Sequence, residues 1–411
     1  MRILKIFYST FILFCGWLNC HSQISESEIK LNGFVDTYHA IRSKKPNDMM
    51  SSRSRLRTEL RIKSKNSFLY ASVNAIDNSI MKDNSGIELR EAYFQYTNNG
   101  WDAKIGRQIV TWGVADAVRV TDLISPMDYT EFLARDYDDI RIPINGFDIK
   151  YVQPKYKAQL IFVPVPDFFI MPMDTENPWS MFYNCDDAFV INDLRPETKI
   201  TNCEYGGSFT FYMKGFDFTL CGLHTWNKIP VNLIYGMQPY KEIEVEQHYQ
   251  RMSMLGFNFS GSIGQFVVRG EMARYFDKLH GIKNKYNAIQ KFDVNNALIG
   301  LDWYPGYDWT IAGQFMISSI EDYHQFIVTD EITQMGTFNV KKKLLRSTLD
   351  LSSFAYIDLV KGSLFNRFTA DYAVNDQIHV ICGYDLFSGD KGKFGVFKDN
   401  SQYWIKAKYS F

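Results

Sequence analysis

The sequence predicts an all-β fold, a transmembrane antiparallel up-and-down β-barrel of about 16 strands (range about 14–18). Three observations lead to it. Polar and apolar side chains alternate in many segments, no later apolar run is long enough for a spanning helix, and short connections alternate with long ones. Successive side chains of a strand point to opposite faces, so each segment has one face for lipid and one for water. Because backbone groups in lipid must be satisfied internally, such strands must close into a barrel.

The first segment predicts export from the cytoplasm. Two cations precede an apolar run from Ile6 to Leu18, and Ser22 offers a small residue for cleavage. This pattern is typical of a secretory signal peptide, which we place at residues 1–22. The remaining residues, 23–411, then form a single barrel domain with the cell outer membrane as its location.

The end of the chain supports the same interpretation. Apolar and polar side chains alternate from Tyr403 to Phe411, and the chain ends on that phenylalanine. This segment resembles the terminal strand of bacterial outer-membrane barrels, in which a final Phe is part of the assembly signal. The resemblance implies barrel-assembly machinery and outer-membrane lipid as partners. The net charge of −1 gives no reason to expect a nucleic-acid partner.

The segment Arg53–Lys63 has an ionic side chain at every second position, with Leu56, Thr58, Leu60 and Ile62 at the intervening central positions. In a barrel the ionic face would line the lumen and the apolar face would meet lipid. The cations could pair with acids on adjacent strands, for which Asp36, Asp77 and Glu91 are available. If pairing is incomplete, they would favour anionic solutes. The ionic residues of this face are Arg53, Arg55, Arg57, Glu59, Arg61 and Lys63.

The same alternation recurs along the chain, in segments of about ten residues. Between these segments we expect tight turns at one end of the barrel and long polar insertions at the other. The strand count is least secure between Lys341 and Asp376, and sixteen is favoured because single-chain bacterial barrels have even numbers. The segments are 67–75, 89–96, 265–272, 295–303 and 309–317, and the insertions are 110–145, 164–203, 226–246, 277–290 and 320–339.

The densest motif runs from Gly106-Arg107-Gln108 through Trp112-Gly113 to a loop rich in Asp, Arg and Pro that ends at Pro143. This stretch resembles a porin-like outer-membrane family common in Bacteroidota, whose substrates are mostly unassigned. A loop of this length could fold back into the barrel and narrow it. Its ionic residues could fix the loop to the wall, contact solutes, or do both. With the 53–63 face, the candidate pore-lining residues are Glu91, Arg107, Arg119, Asp122, Asp128, Arg135, Asp138 and Arg141.

Little in the sequence suggests catalysis. Cys185 and Cys203 lie in one long polar stretch of an exported chain, so we predict a loop disulfide between them. No histidine or cysteine spacing indicates a metal site, and we expect neither a metal nor a cofactor. His224 beside Thr225, or His324 near Glu321, could supply a hydrolase pair, but chance would place such pairs equally often.

We therefore expect a non-enzymatic, porin-like channel for passive diffusion of small solutes through a charged and loop-constricted lumen, with anionic solutes favoured if the lumenal cations are incompletely paired. One alternative is a barrel that binds or assembles with a partner through its long loops, motivated by the aromatics Phe168, Phe169, Trp179, Phe182 and Tyr183. A third is a membrane-embedded hydrolase. Substrate identity and oligomeric state stay open.

Overall fold

The structure is a computed structural model that describes residues 27–137, 139–180, 182–183, 188–237, 242–283 and 288–411. The predicted signal peptide at 1–22 lies outside these residues. Twenty-one strands occur in the described part of the chain. They are β1 (Glu28–Arg42), β2 (Met49–Ser64), β3 (Ser67–Asn78), β4 (Gly86–Asn98), β5 (Trp101–Gln108), β6 (Ile144–Gln153), β7 (Tyr156–Val163), β8 (Ala188–Leu194), β9 (Glu204–Met213), β10 (Phe216–Trp226), β11 (Val231–Met237), β12 (Glu242–His248), β13 (Arg251–Ile263), β14 (Phe266–Ile282), β15 (Ala288–Gly306), β16 (Trp309–Ile320), β17 (Ile332–Leu344), β18 (Leu349–Asp358), β19 (Ser363–Ala373), β20 (Ile378–Ser388) and β21 (Gln402–Ser410).

Eighteen of these strands form one closed antiparallel β-barrel. Neighbours in the sheet follow chain order, and β1 closes the ring by pairing with β21 from Phe34 opposite Ser410 to Arg42 opposite Gln402. The other three strands, β8, β11 and β12, form a separate small sheet. Among the described residues no helix has the length and apolar character needed to cross a bilayer.

The predicted alternation is confirmed in the barrel wall. In β2, Arg53 and Arg55 are buried on the inner face, whereas the neighbouring Leu56 is 40% exposed on the outer face. The same phase continues around the ring, so the outer surface is an apolar belt of the kind that meets lipid. Exposed members of this belt include Val35, Leu69, Phe94, Ile105, Phe147, Leu160, Phe209, Leu220, Leu255, Met272, Ile299, Phe315, Phe338, Phe368 and Ile405.

The expectation of about 16 strands was too low, because the barrel has eighteen. The stretch between Lys341 and Asp376, which was hardest to divide into strands, includes the turn of the β17–β18 hairpin. Its turn runs through Leu345, Arg346 and Ser347, which all adopt left-handed φ angles of 51°, 57° and 67°. Turns of this kind normally carry Gly, Asn or Asp, so the sequence gives no turn signal there.

Two of the predicted insertions were placed too wide, because barrel strands extend into them. The insertion placed at 277–290 is wrong at both ends, because β14 continues to Ile282 and β15 already begins at Ala288. The insertion placed at 320–339 ends earlier, because β17 begins at Ile332. These strand ends are rich in polar residues and therefore resemble loops in sequence, because strands that project beyond a membrane can carry polar side chains on both faces.

The connections separate into two groups. At one end of the barrel, which we call the turn end, hairpins such as Lys65–Asn66, Asn99–Gly100 and Lys214–Gly215 join the strands. At the other, the loop end, the long segments 109–143, 164–203 and 227–250 connect them. This asymmetry was predicted.

The segment 109–143, here called the inner loop, folds into the lumen. Many of its apolar side chains form a cluster with inward-facing residues of the wall, including Tyr275 of β14, Tyr356 of β18 and Trp404 of β21. Trp404 is only 7% exposed and points inward, because it occupies the polar phase of β21.

Candidate functional site

The first half of the inner loop is fixed by one carboxylate of the wall. Glu271 of β14 is 2% exposed and accepts hydrogen bonds from the backbone N–H groups of Val114, Ala115 and Thr121, at 2.5, 2.7 and 2.9 Å. The Thr121 hydroxyl donates a fourth, at 2.8 Å. A buried carboxylate is costly unless its oxygens are satisfied, and these four donors satisfy them.

The Trp112-Gly113 motif is what lets the loop approach this carboxylate. Gly113 has φ +84°, and a Cβ there would lie 2.5 Å from Glu271 Oε1. Trp112 is 7% exposed and its backbone N–H donates to Asp122 at 3.2 Å. Arg141, near the other end of the loop, lies 2.7 Å from Asp122. The motif therefore ties the beginning of the inner loop both to the wall and to its own end.

Ring hydroxyls and one lysine add bonds to backbone carbonyls of the loop. Tyr356 donates to the carbonyl of Ala117 at 2.6 Å, and Tyr275 donates to that of Val120. Lys228 lies 2.9 Å from Glu204 and donates to the carbonyl of Ile124 at 2.5 Å. The loop is therefore fixed by strands on several sides of the lumen.

The second half of the loop meets the ionic face of β2. Asp139 lies 2.9 Å from Arg55 and 3.1 Å from Arg57, and Arg55 also pairs with Asp36 of β1 at 2.6 Å. Glu131 is 2% exposed and accepts bonds from Ser51 at 3.0 Å and Arg53 at 3.3 Å. Arg53, Arg55 and Arg57, which were predicted to line the lumen, thus pair with acids, and two of those acids, Glu131 and Asp139, belong to the loop.

Two more wall cations hold the middle of the second half. Lys406 of β21 lies 2.8 Å from Asp136. Arg367 of β19 pairs with Asp385 of β20 at 2.8 Å and also donates to the carbonyl of Ala134 at 2.7 Å.

Cations lower the pKa values of the loop acids. Burial alone would raise the pKa of Asp139, but Arg55, Arg57 and Arg90 outweigh it and hold that pKa well below its usual range. Burial opposes ionisation of Asp136 and Asp128 as well, and Lys406 and Arg135 respectively lower their pKa values. These three acids are therefore ionised at neutral and mildly acidic pH, and Asp136 and Asp139 are attracted to cations of the wall.

The remaining predicted site residues fall into several places. Glu91 accepts a hydrogen bond from the backbone N–H of Ile109 at 2.9 Å, where the inner loop begins. Arg107 shares the outward face of β5 with the exposed Ile105, so the structure does not place it in the lumen. Asp138 lies outside the described residues.

The other predicted site residues lie within the loop or on the inner face of β2. Arg119 donates to the Asp122 and Ser125 carbonyls, Arg135 pairs with Asp128, and Arg61 pairs with Glu59.

Lumenal cations without a nearby acid also exist. Among the described residues, Lys63 of β2, Lys104 of β5 and Lys408 of β21 have no carboxylate oxygen within 4.0 Å. Lys104 lies 4.3 Å above the ring of Tyr93, and Lys408 lies 4.6 Å above the ring of Phe34. These lysines face the lumen toward the turn end, below the inner loop.

Sequence reasoning missed the wall residues that hold the loop. Glu271, Lys228, Arg367 and Lys406 were not among the candidates. Each is charged and most lie in the inward phase of a strand, which is the signal that could have selected them. The sequence does not reveal the path of the inner loop through the lumen, and therefore does not reveal which inward-facing charges the loop contacts.

A cavity of about 370 Å³ lies between the inner loop and the wall. It extends from Ala134 toward the turn end along β19, β20 and β21. Its lining includes the rings of Tyr38 and Trp404 and five cations, Arg53, Arg135, Arg367, Lys406 and Lys408, but only two carboxylates, Asp136 and Asp371.

The loop aromatics that suggested a partner surface are largely occupied within the protein. Phe168, Phe169 and Trp179 are 6%, 7% and 0% exposed. Trp179 packs against Phe132 of the inner loop and Phe387 of β20, with ring centroids 6.4 and 5.5 Å apart. Phe169 contacts Tyr129 of the inner loop, with ring centroids 5.5 Å apart, so Phe169 and Trp179 pack against that loop, whereas Phe168 packs against Trp226 and Tyr249.

The residue pairs that could have formed a hydrolase site do not lie together. Thr225 faces the lumen and donates to Glu204, while His224 faces outward and forms a 2.9 Å hydrogen bond with Ser253. His324 contacts the rings of Phe292 and Phe326, while Glu321 pairs with Arg274. No cluster of potential metal ligands occurs in the described part of the chain.

Cys185 lies outside the described residues, so the disulfide to Cys203 stays a prediction. The assembly role of Phe411 also stays a prediction. Its backbone pairs with Gly33 of β1, by hydrogen bonds of 2.9 and 3.0 Å.

A closed barrel with an apolar outer belt, a polar lumen and a loop fixed inside it defines a transmembrane β-barrel. The chain belongs to the family described as "Protein of unknown function (DUF1302)", whose sequence model matches residues 81–348. The match includes the whole inner loop. A search of curated proteins gives no match.

Solved outer-membrane proteins are similar at low identity. The outer membrane channel DcaP of Acinetobacter baumannii has 10% identity and a TM-score of 0.46, covering 95% of this chain and 99% of that one. Salmonella typhi OmpF, in complex with daunomycin, gives the same four values. A loop L8 deletion mutant of OmpT from Vibrio cholerae has 9% identity and a TM-score of 0.45, with coverages of 94% and 99%. These likenesses are too distant to carry an argument about function.

Proposed function

We propose that the protein is a passive channel of the outer membrane, which admits small solutes through a lumen narrowed by the inner loop. The observation that carries this proposal is the polarity of the wall. Eighteen strands present an apolar surface outward and ionic side chains inward, a division that suits lipid outside and water inside. The long loops then face the cell exterior and the short turns face the periplasm.

The inner loop sets the width of the passage. It is held from β2 on one side and from β14 on another, by the Asp139 and Glu271 contacts. A segment fixed at both ends narrows a pore without closing and opening, so the channel needs no energy coupling. Solutes would pass between the loop and the part of the wall that it leaves uncovered.

A preference for anions is the finer part of the proposal. Most cations of the 53–63 face are neutralised by acids, so they hold the inner loop in position and do not select between anions and cations. Lys63, Lys104 and Lys408 are lumenal cations with no carboxylate oxygen within 4.0 Å in the described part of the chain, and they would raise the local concentration of anions near the turn end.

Purified full-length protein in a planar bilayer tests the proposal. Stepwise conductance, with a reversal potential that indicates anion preference in a salt gradient, is the expected result. Replacing Lys63, Lys104 and Lys408 together by Gln should reduce that preference while conductance persists. A preference that the triple substitution leaves unchanged would refute the anion proposal, and a protein that inserts but never conducts would refute the channel.

The two alternatives have less support. Phe168, Phe169 and Trp179, three of the aromatics that motivated a partner-binding surface, are buried within the protein, and the histidines that motivated a hydrolase do not meet the proposed partners. Capture of a specific partner by a barrel that conducts nothing would favour the first of them. Lipid turnover lost in His224→Ala would favour the second.

A further inference from the structure

We propose that the cavity between the inner loop and β19–β21 is a binding site for small organic acids that carry a carboxylate on an apolar or aromatic body. The proposal rests on the channel function and adds a site at which the passing solute is held. The cavity lies in the lumen, next to loop residues 134–136, where a solute must pass the constriction.

The first argument is the lining of the cavity. Its residues come from β1, β2, the inner loop and β19–β21, and they carry five cationic side chains against two carboxylates, Asp136 and Asp371. A lining with this excess of cations suits an anionic ligand.

The second argument is charge. Four of the five cavity cations have acid partners: Arg53 with Glu131, Arg135 with Asp128, Arg367 with Asp385 and Lys406 with Asp136. Lys408 has no carboxylate within 4.0 Å in the described structure. Its ammonium group lies over the Phe34 ring but is not neutralised by an acid, so it can attract a carboxylate, while the guanidinium groups supply directed donors.

The third argument is the apolar side of the cavity. The Trp404 indole N–H already donates to Asp385 at 3.1 Å, and the Tyr38 hydroxyl donates to the Ala134 carbonyl at 3.3 Å. With their polar atoms engaged, the two rings offer hydrocarbon to the cavity, together with Ile381. A volume of about 370 Å³ is enough for a small ligand. An inorganic anion would use the cations but gain nothing from the apolar part of the lining.

Isothermal titration calorimetry on the detergent-solubilised full chain, with benzoate as the probe, tests the site. Benzoate should bind at least about tenfold more tightly than acetate, which lacks the ring, and than benzyl alcohol, which lacks the charge. Lys408→Gln should weaken benzoate binding about tenfold, and Lys408→Arg should retain it. Lys63→Gln is the matched control, because Lys63 is also a lumenal lysine without an acid but lies outside the cavity, and it should change the affinity less than about twofold.

Equal effects of Lys408→Gln and Lys63→Gln would overturn the proposal, as would acetate or benzyl alcohol binding as tightly as benzoate. A second readout is the channel current of the unmodified protein. Benzoate should reduce this current in a saturable way, and benzyl alcohol should not. A non-conducting protein that still binds benzoate would refute the channel and leave the site. A conducting protein indifferent to benzoate would refute the site and leave the channel.

Discussion

At the scale of single residues, the lumen is organised by wall charges that reach the backbone of the inner loop. Glu271 is the clearest case, because three of its four donors are backbone N–H groups. Backbone contacts of this kind fix the path of a loop whatever side chains it carries. Gly113 belongs to the same arrangement, since its missing side chain leaves room for the carboxylate.

Gly113→Ala should release the first half of the inner loop. Gly215→Ala is a matched control, because Gly215 has φ +85°, as left-handed as Gly113 at +84°, but a Cβ there meets nothing closer than 4.0 Å. Both substitutions pay about 1–2 kcal/mol for the left-handed backbone, and only the first collides with Glu271. Limited proteolysis should cut the inner loop in Gly113→Ala alone. Equal protection of the loop in the two variants would contradict this account of Gly113.

Glu271→Ala should lower the stability of the folded barrel by about 2–4 kcal/mol, because four donors lose their acceptor in a buried position. Glu59→Gln is the comparison, since Glu59 pairs with the partly exposed Arg61 and such pairs contribute about 0–1 kcal/mol. Urea unfolding in detergent, followed by tryptophan fluorescence, measures both. A Glu271→Ala variant as stable as Glu59→Gln would mean that this carboxylate does not anchor the loop.

At the scale of elements, strands and loop differ in how far the sequence predicts them. Alternation located most strand segments, for instance β2, β3 and β16, because one face meets lipid and the other water. Turns built from Gly, Asn or Pro were also visible, whereas the left-handed turn Leu345–Ser347 was not. The inner loop was predicted as a loop, but its contacts depend on which strands it crosses, and no local pattern encodes that.

The docked state of the inner loop should resist acid. The folded-state pKa of Asp139 lies below its ordinary value, so its stabilisation is complete above about pH 4, the pKa of an unfolded Asp, and is lost only as pH falls further. Proteolysis of the loop and channel conductance should therefore stay constant from pH 7 to about pH 4. Asp139→Asn should loosen the loop at every pH in that range. A transition near pH 6 in the unmodified protein would show that another group controls docking.

At the scale of the whole molecule, the barrel keeps most of its charge inside and most of its exposed hydrocarbon outside. That division was predicted from the sequence, as was a constricting loop. The number of strands was not, since eighteen are present where about sixteen were expected. The cavity at Lys408 could not be predicted either, because it combines residues from β1, β2, the inner loop and β19–β21, which are distant in sequence.

The most direct measurement is the single-channel current of the purified full chain in a planar bilayer, compared with a variant whose inner loop is released by Gly113→Ala. We predict discrete steps for the unmodified protein, and larger and noisier steps for the variant, because a released loop no longer narrows the lumen. Two results would contradict a water-filled lumen constricted by this loop. One is a membrane that stays silent although the protein has inserted. The other is identical current steps from the variant, once proteolysis has shown that its inner loop is free.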